Sequence, residues 1–194
     1  MLSGCSQLMR GPFSPNLGRS TPIFSANLGP HRRMLSGPAV YVLGPLHLFI
    51  SSHGSKDPAI SVSNGELPLK DLTGADLKQA LEEAGIRWRI VIISACYAGA
   101  FVPFLSDEHS IVITAARPDR TSFGCSNERD LTNFGEAFVR DALPKAPTLR
   151  AALRQARTSI AARELAENLT PSEPTAYFGS AMEDKLQALE RRGP

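Results

Sequence analysis

The sequence predicts an α/β fold built on a mostly parallel sheet. Three apolar runs read as strands: LHLFISS (46–52), RWRIVIISA (87–95) and SIVITAA (110–116). A helical pattern separates the first two, and longer helical patterns follow the third. Strands alternating with helices place a sheet between helix layers. The uninterrupted apolar core of the middle run implies burial on both faces, as in parallel sheets. With 194 residues, 42% of them hydrophobic, the chain can bury one domain-sized core.

Residues 1–45 hold six Gly and six Pro, including the pairs Gly11-Pro12, Gly29-Pro30, Gly37-Pro38 and Gly44-Pro45. This punctuation breaks helix and strand alike. We therefore expect a disordered Gly/Pro-rich segment over 1–45 and the folded domain over 46–194. LHLFISS runs into His53-Gly54-Ser55, and PAISVSNGELPL (58–69) predicts a small hairpin. LTGADLKQALEEAG (72–85) predicts a helix with Thr73 as N-cap, Asp76 in the first turn and Gly85 as the stop. Leu77, Ala80, Leu81 and Ala84 form its apolar stripe. After Cys125 the patterns are helical: DLTNFGEAFVRDAL (130–143), then TLRAALRQARTSIAARELAE (148–167). The second sets Leu149, Leu153, Ala156 and Ile160 on one face and Arg150, Arg154 and Arg157 on the other, which we expect to be solvated. PSEPTAYFGSA (171–181) predicts a loop and short strand, and AMEDKLQALERR (181–192) a terminal helix.

The charge balance narrows the classes of function. Against 21 Lys and Arg stand 19 Asp and Glu, so the net charge is only +2. That is no footprint for nucleic acid. Four arginines, Arg10, Arg19, Arg32 and Arg33, are the only charged residues in 1–45 apart from the chain terminus. Cys5, Cys96 and Cys125 are too few for a disulfide framework, and no CxxC spacing suggests zinc. Neither metal nor cofactor is expected. No stretch reads as a membrane span: HRRMLSGPAVYVLGPLHLFISS (31–52) is broken by Gly-Pro pairs and ends as a strand. LSGC (2–5) looks like a lipoprotein cleavage box without the leader such a box requires. Compartment and oligomeric state stay open.

Two strands end in chemistry, one at His53 and one at Cys96. Ligands of parallel α/β sheets bind beyond the carboxyl ends of the strands. If the two strands are neighbours, the thiol and the imidazole meet there. Only a thiolate attacks, and a histidine of near-neutral pKa can take its proton and return it to a leaving amine. Gly54 adds no Cβ to block a substrate carbonyl. Its N–H and that of Cys96 could form an oxyanion hole. The competing reading is a buried cysteine acting as a small apolar filler. The His-Gly pair and the small neighbours Ala95, Ala98 and Gly99, which leave room around the sulfur, favour the catalytic one. His47 falls inside a strand pattern and His109 in a charged turn, so both read as structural or solvated. Cys125 is a weaker rival nucleophile, with no histidine beside it in sequence.

ISSHGS followed by IISACYAG resembles the legumain-like cysteine peptidases, relatives of caspases, gingipains and clostripain. VITAARPDRTSFGC (112–125) is similar to the strand and loop after the nucleophile in that family, and the likeness covers roughly residues 46–190. The resemblance implies a caspase-like three-layer α/β/α sandwich, peptide or protein substrates, no metal and cleavage often after Asn or Asp. It implies Cys96 as nucleophile, His53 as base, and Gly54 with Cys96 as oxyanion donors. It places Ser94, Ser122 and, across a one-residue gap, Glu136 at the substrate pocket. Ser94 stands where legumains carry an acidic residue, which weakens the expectation of Asn specificity. Glu136, if isolated and turned inward, would favour a basic substrate residue; an exposed helical Glu136 is the alternative. The family's first strand, helix and second strand have no counterpart before Leu46, so the sheet should show an open apolar edge or face on that side. This leaves three functional expectations: an endopeptidase, a catalytically impaired peptide-binding domain, and a transpeptidase.

Overall fold

The computed structural model describes residues 25–26, 45–62, 69–124 and 129–192. A five-stranded sheet runs in the order β1-β2-β5-β6-β7. Its strands are β1 (Ser25–Ala26), β2 (Leu46–Ser51), β5 (Arg89–Ser94), β6 (Ser110–Thr114) and β7 (Thr175–Phe178). β2, β5 and β6 are parallel, and the flanking β1 and β7 are antiparallel to their neighbours. β3 (Ala59–Ile60) and β4 (Leu72–Thr73) form a separate two-stranded ribbon. It spans the expected hairpin region, but its second strand lies beyond residue 69.

The strand alternation builds two cores. Leu48, Ile50, Val91, Ile93 and Val112 face α1 (Gly74–Glu83) and α2 (Val102–Leu105). Ile90, Ile111 and Ile113 face a π-helix (Gly135–Ala142), α3 (Leu149–Ala166) and α4 (Ser180–Arg192). Helices thus cover both faces, giving the three layers expected. Each fully buried Ile or Val side chain stabilises such a core by about 1.5–3 kcal/mol.

Local chemistry explains the element ends. Thr73 caps α1 in a reciprocal box with Asp76, and Gly85 leaves the helix at φ +66°. The buried stripe of α1 is narrower than its sequence suggests: Leu77 and Leu81 are buried, whereas Ala80 and Ala84 are exposed. In α3, Ala152, Leu153, Ala156 and Ile160 are buried. Its arginine row is not simply solvated, because Arg150 pairs with Glu183 and Arg157 donates to the Pro174 carbonyl. The expected helix over 130–143 is instead a π-helix from Gly135, closed by Leu143 N–H donating to Phe138 O. The wider turn keeps Phe134 and Phe138 stacked and buried while Glu136 points to a group of arginines. His109 packs edge-on against Trp88.

On the outer side of β2, among the described residues, only β1 pairs with it, at Leu48 and Phe49. A groove of about 490 Å³ opens on the α3–α4 face, over His47, Ile92, Phe178 and Leu186. It lies toward the start of β2, away from His53. Most of the expected disordered segment 1–45 lies outside the described residues. No described helix is long and apolar enough to cross a membrane.

Candidate active site

β2 and β5 are hydrogen-bonded neighbours with Ser51 paired to Ser94. That pairing offset is 43 positions, the same as from His53 to Cys96. Both residues leave their strands at the carboxyl edge of the sheet, two positions past the last pair. Gly54 lies against the Cys96 backbone. A Cβ built on it would collide with the Cys96 carbonyl oxygen and stand 3.2 Å from the Ala95 Cβ. The loop after β2 is held by Ser61 N–H donating to His53 O and by the Ser52 hydroxyl donating to Ser61 O. Among the described residues, neither the Gly54 nor the Cys96 N–H donates to a backbone carbonyl.

Cys96 is half-buried, and the chain turns immediately after it. Tyr97 adopts φ +57°, ψ +14°, a left-handed conformation that is costly for a tyrosine. Its N–H donates to Arg120 O. Gly99 then donates to Ala116 O, and a Cβ there would lie 2.6 Å from Pro118. The space that Gly99 leaves is therefore filled by the 117–124 loop rather than kept open beside the sulfur. The same loop brings Ser122 to the sulfur through its backbone, with the N–H 3.3 Å and the carbonyl oxygen 3.4 Å from Sγ.

The loop is anchored from behind. Arg120 N–H donates to Arg117 O, Arg117 N–H to Ser172 O, and Ser172 N–H to the buried carboxylate of Glu164 on α3. Glu164→Ala strands the buried Ser172 N–H and should cost about 1–3 kcal/mol. Glu164→Gln keeps an acceptor and should cost less. Urea midpoints of the two variants check this, and equal midpoints would remove the anchoring role.

The remaining pocket candidates lie beside this edge. Ser94 is buried, with its hydroxyl 3.0 Å from Thr132 Oγ1, which also accepts the Gly135 N–H. Glu136 is neither isolated nor exposed: its side chain is 16% accessible and contacts Arg129, Arg140 and Arg163. Burial alone would raise its pKa. Hydrogen bonds from Arg163 and Arg129, with their charges, outweigh burial and hold the carboxyl below its ordinary value. Asn133, 2% exposed, accepts from Arg163 and donates its backbone N–H to Phe123 O. Thr132, Asn133, Arg129 and Arg163 carried no recognisable signal in the sequence; a polar Thr-Asn step entering a helix reads as a cap. Cys125 lies outside the described residues, and among those described no His, Cys, Asp and Glu cluster could hold a metal.

A family model for the peptidase C13 family matches residues 44–185. The chain belongs to the peptidase C13 family. C13 peptidases are legumain-like cysteine peptidases, so this is a hydrolase of the cysteine peptidase class, acting on peptide or protein substrates. The caspase-like α/β fold of a C13 member accords with the parallel β2-β5-β6 core. No curated protein matches the chain.

The acidic limb of this C13 chain's stability follows from its ion pairs. Glu183 is held below its ordinary pKa by the Arg150 hydrogen bond, against a smaller opposing effect of burial. A carboxyl whose folded pKa is depressed contributes stability above its unfolded value and loses it as pH falls through the folded one. The contributions of Glu136 and Glu183 should therefore be complete above the ordinary glutamate value of 4.5 and disappear progressively below it. Urea midpoints from pH 6 downward check this: Glu183→Gln should flatten the acid fall, and an unchanged slope would contradict it.

Proposed function

We propose that this C13 chain is a cysteine endopeptidase working through a Cys96–His53 dyad, with 46–194 as the catalytic domain. The observation that carries the reading is the shared offset of the β2–β5 register and the His53–Cys96 pair, with Gly54 packed on the Cys96 carbonyl. His53 takes the thiol proton, and Sγ attacks the scissile carbonyl carbon. The oxyanion accepts hydrogen bonds from the Gly54 and Cys96 N–H groups. Collapse of the tetrahedral intermediate expels the amine, which takes the proton from His53 and leaves a thioester on Cys96. Water, deprotonated by His53, hydrolyses the thioester and restores the thiol. The half-buried sulfur beside the Ser122 amide and the unused N–H of Gly54 support this sequence of steps.

The test is covalent labelling of the full chain with peptide acyloxymethyl ketones, with the modified residue located by mass spectrometry. Saturable labelling at Cys96 that requires His53 is expected. Absence of labelling on folded protein would remove the peptidase reading and leave a non-catalytic peptide-binding domain.

A further inference from the structure

We infer that the cavity between α3 and the 171–175 segment binds a free α-amino acid with an apolar side chain, its ammonium group on Glu164 and its carboxylate on Arg157. The cavity has a volume of about 310 Å³, the size of a small-molecule site. Ile160 and Pro171 supply apolar wall, and Arg117, Arg157, Glu164 and Glu173 bring four charges. Glu164 is 2% exposed. Its Oε2 accepts the Ser172 N–H, but its Oε1 is buried and has no hydrogen-bond partner among the described residues. A buried carboxylate oxygen without a donor costs free energy that a ligand N–H recovers.

The charges define the ligand class. Two cations and two carboxylates line the cavity, so its lining carries no net charge. Arg117 and Glu173 pair with each other. Glu173 is held at φ +50°, a conformation uncommon for any residue but glycine. Glu164 and Arg157 are left. Arg157 donates its Nε–H to the Pro174 carbonyl, and among the described residues its two Nη groups have no partner. Both side chains hold one short segment. Glu164 holds Ser172 and Arg157 holds Pro174, two residues on, a stretch of at most about 7 Å. An unpaired acceptor and open guanidinium donors at this spacing match a molecule that carries an ammonium and a carboxylate on one carbon atom. An amine without a carboxylate is repelled by Arg157, and an acid without an ammonium by Glu164. An apolar side chain fits against Ile160 and Pro171.

The experiment titrates leucine into the full chain and follows binding by calorimetry, with leucinamide and N-acetylleucine as analogues that each lack one charge. Leucine should bind about tenfold more tightly than either analogue, the worth of one charge-assisted hydrogen bond. Glu164→Gln keeps an acceptor for the Ser172 N–H and should bring leucine level with N-acetylleucine. Arg157→Gln should bring leucine level with leucinamide. Arg157 is exposed, so its variant carries the test even where Glu164→Gln fails to fold. No leucine binding to the native chain, either analogue binding as tightly as leucine, or leucine binding unchanged by Arg157→Gln would overturn the inference. Binding is read here without turnover, so the two claims fail separately. Leucine bound by a chain that does not label at Cys96 removes only the peptidase reading, and labelling without leucine binding removes only this site.

Discussion

Cys96→Ala should lower peptide-bond hydrolysis by about four to six orders of magnitude while leaving the fold intact. The sulfur's described polar contacts are to the Ser122 backbone, and the residue is half-buried at a strand end rather than packed in either core. Losing one sulfur there removes the proposed nucleophile without opening a large cavity, so the urea midpoint should hardly move. His53→Ala should cost about a hundred- to ten-thousandfold, the usual worth of a positioned general base, because the thiol then loses its proton only to water. Cys125→Ala is the control and should leave labelling at Cys96 largely intact. Turnover of a quenched peptide, together with mapping of the labelled cysteine, checks all three. Labelling that survives Cys96→Ala and disappears in Cys125→Ala would transfer the nucleophile to Cys125.

Gly54→Ala should be nearly as damaging for a different reason. Its backbone does not need a glycine torsion; space is what is missing. The added methyl would run into the Cys96 carbonyl and come within 3.1 Å of the carbonyl carbon, atoms that belong to the proposed nucleophile's own backbone. Neither can yield like the tip of a flexible side chain. The carboxyl ends of β2 and β5 must part, which on the proposed mechanism moves His53 away from Cys96 and displaces both proposed oxyanion donors. Loss of one such donor alone costs about a hundred- to thousandfold in turnover, and overpacking adds about 1–3 kcal/mol of destabilisation. Gly85→Ala provides the contrast. That glycine has a positive φ but open space around it, so strain of about 1–2 kcal/mol should appear in stability with turnover unchanged. A Gly54→Ala chain with native turnover would show that the two strand ends are not packed as described.

Several elements were legible because their signal is local. RIVIIS is apolar at four of six positions, β-branched, and bounded by turn residues, which marks a buried strand wherever it occurs. Thr73 and Asp76 sit at the spacing of a capping box, and Gly85 at the place where α1 must end. The His-Gly and Ala-Cys pairs at strand ends are equally local, and with the resemblance to legumain-like peptidases they carried the family and the candidate dyad. The apolar stripe of α1 was overread, because alanine is a good helix former on an exposed face as well as a buried one.

Other features depended on residues far apart in the chain. A helix periodicity cannot reveal that the turn at Gly135–Ala142 widens, nor that Phe134 and Phe138 pack inward while Glu136 meets Arg163 of α3. Glu136 looked solitary because its partners come from a loop, its own helix and a third element. Hydrophobic patterning and turn chemistry in the sequence alone determined an α/β chain with two reactive side chains at strand ends. Only the tertiary structure decided that those strands are adjacent in a register matching the His53–Cys96 separation, and that the nearby acid is enclosed by arginines. The reason is physical: strand pairing and charge neutralisation are interactions through space, and a one-dimensional pattern carries no record of which distant residues supply them.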